Sequence, residues 1–586
     1  YFDVIWGYPP GIVCLTVITP WAQTESLGPL SPGTYTVYAR LVGDPFVPET
    51  YTYITKFVVT DKQFVLSTAS LTVPEGGTAS FTVVLLREPN ETVEATVAYQ
   101  SGDPDITVES DGRLTFDPCN YSVPQIVTLA ATEDGDHFDG QALIRVSAPE
   151  YLTAEVTATE ADNDVPIVLY VDGNAPGAND GTSWENAFTN LQEALRIARL
   201  LSKVEEIRVA QGIYKPAGPG GNRNLSFELV AGVAVKGGYA GYGQPDPDAR
   251  NTSAYKSVLS GDLNGNDGPN FTNRGDNSYT VVDGAHGAVL DGFTVTGGDD
   301  AYGGAGINNH GRTTTVVNCI IKYNRAAYGG GLYNYRGSPA LTNCMFIGNQ
   351  AKPNSIGDGG AVYSSGGGSP TFTNCIFIEN SANDKGGGLC SYSSGTRVTN
   401  CIFWGNSDSG GMDESAQIHG GKSVVNYCCI QGLTGSLGDI GNIGDDPLFA
   451  DMVNGDYHLQ SEAGRWDPNS DGWAIDVNTS HCIDAGNPGY PSGGEPSPNG
   501  NRISMGAYGG TAKASKSPAN WALLTDLTND HIVYFNDLAV FVNYWLDSGQ
   551  CIPGDLNRNQ SVDFDDFAIL ADNWLKGESQ SGKPGL

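Results

Sequence analysis

Asn318-Cys-Ile-Ile-Lys-Tyr-Asn324 recurs as Asn343-Cys-Met-Phe-Ile-Gly-Asn349, as Asn374-Cys-Ile-Phe-Ile-Glu-Asn380 and as Asn400-Cys-Ile-Phe-Trp-Gly-Asn406. The cysteines step by 25, 31 and 26 residues. Between the copies lie Gly329-Gly-Gly-Leu-Tyr333, Gly359-Gly-Ala-Val-Tyr363 and Gly386-Gly-Gly-Leu-Cys390. A period of this length, built from short apolar strings and glycine turns without helical spacing inside it, is that of a solenoid. The solenoid is a parallel β-helix whose rungs stack about 4.8 Å apart. Cys319, Cys344, Cys375 and Cys401 are expected inside it as small apolar fillers. A metal or redox column is the alternative, but for zinc the stacked rungs place thiols in a line rather than a tetrahedron. The asparagines that close each string should form a ladder of amides, each bonding the next.

Working outward, Phe346-Ile-Gly-Asn349, Phe377-Ile-Glu-Asn380, Phe403-Trp-Gly-Asn406 and Gly359-Gly-Ala-Val362 resemble the repeats of polymorphic outer-membrane proteins. Residues 165–515 as a whole resemble bacterial secreted right-handed β-helix proteins. The residues that carry this are Leu169-Tyr-Val-Asp-Gly173 through Gly181-Thr-Ser-Trp-Glu185 at the start, and Cys482-Ile-Asp-Ala-Gly-Asn487 through Met505-Gly-Ala-Tyr-Gly-Gly510 at the end. An amphipathic helix expected at Ala187–Leu201 would cap the open edge of the first rung. The resemblance implies a fold. It implies no one activity, because such proteins include adhesins, structural proteins and enzymes.

Two β modules precede the solenoid. Residues 1–61 hold strand patterns at Phe2–Trp6, Ile12–Ile18, Thr34–Leu41 and Thr50–Thr60, where a closed sandwich needs about seven strands. The expectation is a partial, immunoglobulin-like sandwich whose open edge is completed by a neighbour's strand. A small or truncated module is the plainer alternative. Residues 62–164 alternate as a full β-sandwich. Pro74-Glu75-Gly76, Leu114-Thr-Phe-Asp117, Glu133-Asp-Gly-Asp136 and Asp162-Asn-Asp164 make this segment similar to Calx-beta domains. That resemblance implies calcium ligation by Glu75, Asp134, Asp136, Asp162 and Asp164. A solvated acidic loop would read the same way.

Residues 516–586 contain a duplication. Asp526-Leu-Thr-Asn-Asp530 leads to Phe535–Leu546, and Asp555-Leu-Asn-Arg-Asn559 leads to Phe564–Leu575, with an offset of 29 residues throughout. Each copy reads as a loop followed by a helix with apolar i, i+3, i+4 spacing. A calcium loop needs oxygens at positions 1, 3, 5, 7 and 12. The first copy offers Asp526, Thr528, Asp530, the Ile532 carbonyl and Asp537. The second offers Asp555, Asn557, Asn559, the Ser561 carbonyl and Asp566. The pattern resembles a type I dockerin. In that family loop positions 10 and 11 carry partner recognition, often as Ser-Thr; here they are Phe535-Asn536 and Phe564-Asp565. Those aromatics should pack the helices on one another or on the neighbouring domain. Two further strings echo a calcium loop: Asp467, Asn469 and Asp471 in one, Asp262, Asn264 and Asn266 in the other. Neither has an acid at position 12, and Asx turns explain both equally.

The 586 residues carry 66 acidic against 31 basic side chains, a net charge of −35, with 77 glycines and 32 prolines. This balance excludes ordinary nucleic-acid and anionic-membrane binding, which need a basic face. The 39% hydrophobic content is too high for disorder, and no run of 18 apolar residues marks a membrane-spanning helix. Tyr1 is not an initiator methionine, consistent with a removed leader or a longer parent chain. A large acidic, Asn-rich and Lys-poor β chain fits the extracellular space, where calcium neutralises carboxylates. Asp299, Asp300, His310, Gly311 and Arg312 loosely echo a polygalacturonase site, but without its Arg-x-Lys. The reading is a mainly β, secreted, calcium-binding structural or adhesive protein with no assigned catalytic residue. Its expected partners are itself, head to tail, other matrix or surface proteins, and glycans. The rival readings are a polysaccharide lyase or glycoside hydrolase docked through the dockerin-like end, and a non-catalytic glycan-binding protein.

Overall fold

The computed structural model describes residues 62–577, apart from 110, 134–138, 162–166, 202, 353–356, 393–394, 422 and 438–439, together with the backbone of three earlier strands. The chain clusters into two compact units, Tyr1–Pro166 and Ile167–Leu586.

In the first unit Gly33–Arg40 pairs antiparallel with Tyr51–Val59, and Ile12–Cys14 pairs parallel with Gly33–Arg40. The expected strand at Phe2–Trp6 lies outside the described residues. Phe64 to Ala161 then forms two sheets of four and five strands. Their alternation is regular: in Thr78–Leu85 the side chains of Phe81, Val83 and Leu85 point inward, and in Gln125–Ala131 those of Val127, Leu129 and Ala131 do. Side chains from both sheets make one core, as period-2 patterning demands of a sandwich.

In the second unit every strand of three large sheets is paired parallel, in sheets of nine, eight and seven strands among the described residues. Successive strands in each sheet are one rung apart: Ile321, Phe346, Phe377, Phe403 and Ile430 occupy one register position. The rings of Phe346 and Phe377 stack at 4.9 Å and those of Phe377 and Phe403 at 4.2 Å, nearly coplanar in orientation. The chain is therefore mainly β, with a parallel β-helix as its largest part. The first helix, α1 (Leu191–Leu200), starts later than its apolar pattern suggests, because Phe188 bridges to Val171 and Asn190 caps the helix through the Gln192 N–H. Leu191, Ala194, Leu195 and Ala198 of α1 join the cluster that fills the first rungs.

Cys319, Cys344, Cys375 and Cys401 are fully buried, and Cys428 extends the column by one rung. The thiols of Cys344, Cys375, Cys401 and Cys428 donate to rung carbonyls of Val316, Leu341, Phe372 and Val398. Burial pushes the Cys319, Cys344, Cys375 and Cys401 thiols well above their ordinary range, so they are apolar fillers with little nucleophilic character.

The amide ladder is present. Asn324 Nδ2 donates to Asn349 Oδ1 at 3.1 Å, Asn349 to Asn380 at 3.0 Å and Asn380 to Asn406 at 2.9 Å. Each Oδ1 also accepts the backbone N–H of the asparagine one rung earlier. Gln417 of the short helix α2 (Glu414–Gln417) ends the ladder, accepting from Asn406 Nδ2 at 2.8 Å. The opening asparagines have a different job. Asn318, Asn343, Asn374 and Asn400 turn the corner at φ between 51° and 56°, a conformation asparagine tolerates.

The strands end at Cys429–Ile430, and the chain then folds back along the outside of the eight-stranded sheet. Met345, Ile347, Ile376, Ile378 and Ile402 face outward on that sheet. They are buried under Tyr457, Leu459, Cys482, Ile483, Met505 and Ala507 of the returning chain. Two-sided burial is why these strings are continuously apolar instead of alternating.

Replacing Asn380 with Ala should destabilise the chain by about 3 kcal/mol, because it strands the buried backbone and side-chain N–H groups of Asn349 and takes the amide donor from Phe346 O. Denaturant unfolding followed by circular dichroism measures it. The five column thiols should react with an aromatic disulfide reagent only after unfolding, whereas exposed Cys119 should react at once.

Candidate metal loops

The returning chain leads into the two loop–helix copies. Their helices are α3 (Phe535–Asn543) and α4 (Phe564–Asp572). The 29-residue offset of the sequence becomes a pseudo-two-fold in space. The core consists of three matched pairs: Leu527 with Leu556, Val533 with Val562, and Phe541 with Leu570. Leu575 N–H donates to Val533 O at 2.8 Å, and Leu546 N–H to Val562 O at 3.0 Å, so the exit of each helix pairs with the loop of the other copy. Phe535 packs edge-on against Trp574 at 5.2 Å, and Phe564 against Trp545 at 5.0 Å. The position-10 aromatics thus lock the two helices together, although much of each ring stays exposed.

The loops repeat each other bond for bond. In the first, Asp526 accepts the N–H groups of Asp530 and His531 at 3.2 and 2.8 Å, and Asp537 accepts those of Thr528 and Tyr534 at 3.0 and 2.8 Å. In the second, Asp555 accepts from Asn559 and Gln560 at 3.0 and 2.9 Å, and Asp566 from Asn557 and Asp563 at 2.9 and 3.0 Å. Carboxylate oxygens of Asp526, Asp530 and Asp537 all lie within 4.8 Å of one another. Asp526, Asp537, Asp555 and Asp566 are at most 2% exposed. Several carboxylates buried against neutral N–H groups are costly unless a cation joins them. The ligand atoms are oxygens only, which suits a hard cation such as calcium.

One buried cation holds this pair of loops to the returning chain. Arg502 is 1% exposed. Its guanidinium donates to Gly486 O at 2.6 Å, to Asp526 O at 2.8 Å and to Asn529 Oδ1 at 2.6 Å. Asn529 donates in turn to Gly441 O and Ala485 O at 2.6 and 2.9 Å. Arg558, at the same place in the second loop, reaches Pro488 O at 3.1 Å and Asn501 O. Position 4 of both copies is therefore the docking point. The duplication placed Asn529 and Arg558 in register, but their unlike chemistry hid their common role. Glu495 shapes the segment that carries Arg502, accepting the Ser504 and Gly510 N–H groups at 2.8 Å each.

The other sequence candidates lie elsewhere. Glu75 is buried in the sandwich, while Asp134, Asp136, Asp162 and Asp164 lie outside the described residues. Asp467, Asn469 and Asp471 form the turn of a hairpin between Arg465–Asp467 and Gly472–Ala474, where Asp467 accepts from Asn469 N–H and Ser470 Oγ. Asp262 accepts the N–H groups of Gly265, Asn266 and Asp267, and Asn264 Oδ1 accepts from Gly220. Asp299 is engaged by Arg325 and Lys352 at 2.5 and 2.6 Å. Asp300 closes a turn through Tyr302 and Gly303, and His310 stacks on Tyr335. Asp299, Asp300 and His310 are each engaged by different partners.

With this geometry in place, comparison with known proteins adds one family. Residues 413–486 match the model of a family described as disaggregatase related. The match runs from α2, which ends the amide ladder, to the start of the segment that receives Asn529. No curated protein matches the chain. Solved structures similar to it include a Bacteroides ovatus GH5 xyloglucanase in complex with a XXXG heptasaccharide. That similarity is at 10% identity over 30% of this chain and 37% of the other, with a TM-score of 0.14. At that score it carries no argument about this chain.

Burial raises the Glu495 pKa from 4.5 to about 7, against the pull of the N–H groups it accepts. The folded chain then holds this proton more tightly than the unfolded one, so its contribution falls as pH rises from about 4.5 to about 7. Glu495→Gln should flatten the pH dependence of stability in that window, removing a slope worth on the order of 3 kcal/mol. Melting curves of both proteins across pH 4–8, with calcium held in excess, check it.

Proposed function

We propose that this chain is a secreted, calcium-stabilised structural or adhesive protein in which a β-helix serves as a rigid spacer. The observation that supports it best is the two-fold loop pair with its buried, oxygen-only carboxylates. Calcium held by Asp526, Thr528, Asp530, the Ile532 carbonyl and Asp537, and by Asp555, Asn557, Asn559, the Ser561 carbonyl and Asp566, would neutralise acids that a chain of net charge −35 cannot easily bury. Bound there, calcium supplies charge neutralisation and cross-linking. In this reading the loop pair is dockerin-like in design, and its helix-locking Phe535 and Phe564 leave it without a standard cohesin partner. The 62–164 module is read as Calx-beta-like, and residues 1–61 as the edge that recruits a second copy or another matrix protein by strand addition. Among the described residues no helix is long and apolar enough to cross a membrane.

A second reading, a glycan-active or glycan-binding protein, draws on the disaggregatase-related match at 413–486. It is the weaker of the two, because the acids and histidine that echo a polygalacturonase are tied up separately.

Excess chelator should lower the melting transition by about 5 °C or more and increase the amide exchange of residues 520–576 first. Asp566→Asn, which keeps an acceptor for the Asn557 N–H, should weaken calcium binding on the order of tenfold. An unchanged melt in chelator sinks the calcium reading. Light scattering with and without residues 1–61 tests the assembly reading: a full-length chain that stays monomeric at high concentration in calcium rejects it.

A further inference from the structure

At the first loop, three segments bring together a different kind of ligand set. Asp445 follows the last rung, His481 lies on the returning chain and His531 is position 6 of the loop. One ligand atom from each, a carboxylate oxygen and two imidazole nitrogens, lies within 4.8 Å of the other two. His481 Nδ1 is 3.3 Å from Asp445 Oδ2. Two ligands of a tetrahedral zinc ion, each about 2.0 Å from the metal, are themselves about 3.3 Å apart. No hydrogen bond reaches the buried His481 Nδ1. The His481 and His531 rings meet edge to face at 5.1 Å, so small rotations about their side-chain bonds would turn two nitrogens toward one point.

His531 sits at φ 72°, in the left-handed region that favours glycine. Gln560, at the same position of the second loop, sits at φ 73°, so this conformation belongs to the loop turn and a glycine would suit it in either copy.

We propose that Asp445, His481 and His531 form a site for a divalent transition-metal ion of the zinc class, with its fourth position open to water. Two imidazoles and one carboxylate select such an ion over calcium. The site shares the first loop through His531, whose N–H donates to Asp526, but its three ligands are not among the loop's oxygen ligands. It would pin the last rung, the returning chain and the loop pair at one point, next to the Arg502 contact.

The test uses the full chain in millimolar calcium, so that the oxygen-ligand loops are satisfied, with zinc chloride as the probe in titration calorimetry. The expected result is one zinc ion per chain beyond any calcium, with affinity lowered at least about tenfold by His531→Gly and by His481→Gln. His531→Gly suits the φ of that position, so its calcium-loaded melting temperature should be unchanged or higher, which separates a lost ligand from a lost fold. Trp521, whose ring lies 5.5 Å from His481, gives a second readout: cupric ion should quench its fluorescence in the parent and not in the two variants. Failure to bind zinc in calcium, or equal binding by parent and both variants, overturns the proposal.

Discussion

A buried side-chain amide has two donors and an acceptor to satisfy, and in this protein the next rung is what satisfies them. Asn324, Asn349, Asn380 and Asn406 each give a proton to the following amide and take one from the preceding rung's backbone. That requirement fixes the rung-to-rung register. A slip of one residue would turn every amide out of the column and leave its neighbours unpaired in the interior. With the register fixed, the phenylalanines and thiols of successive strings fall into columns, because each sits at a constant distance in sequence from its asparagine. Gln417 is the one break in the pattern: a longer amide on a short helix that closes the ladder where the next asparagine string is missing.

The ladder handles the inside of the solenoid, and the returning chain handles the outside. Asn343 Nδ2 donates to Ala507 O and Gly509 O, and Asn400 Oδ1 accepts the Asn487 N–H. The corner asparagines are thus the clasps by which the coil holds its own cover, and the apolar outer face of the eight-stranded sheet is what the cover buries. The cover then serves as the base for the loop pair through Arg502, Asn529 and Arg558. A buried arginine whose partners are mostly carbonyls, on several chain segments at once, positions those segments more strictly than an apolar contact of the same size. Ladder, cover and loops form one continuous chain of contacts.

The loop pair meets a demand of its own. Two half-modules, each too small to bury a core, complete each other around Leu527, Val533, Phe541 and their partners 29 residues on. The symmetry also explains the aromatics at position 10. Each phenylalanine stands opposite the tryptophan that ends the other helix, and that contact depends on both copies keeping the same length.

Much of this was legible in the chain alone. The Asn-Cys-apolar-Asn strings determine a parallel coil, and their closing amides determine the ladder, because a repeat places equal side chains at equal depth. The duplicated acids and apolar positions determine two loop–helix copies. What the linear pattern could not hold was everything made by residues without a repeat. The strings Met345-Phe-Ile347 and Ile376-Phe-Ile378 are apolar on both faces, yet nothing in them says which later segment covers the outer one. Arg502 looks like any solvated arginine, and Asp445, His481 and His531 are far apart in sequence. These were decided by tertiary structure, for a physical reason: repeated contacts are set by a period that any one rung displays, whereas a unique contact between distant segments exists only once the folded coil has fixed where each of them lies.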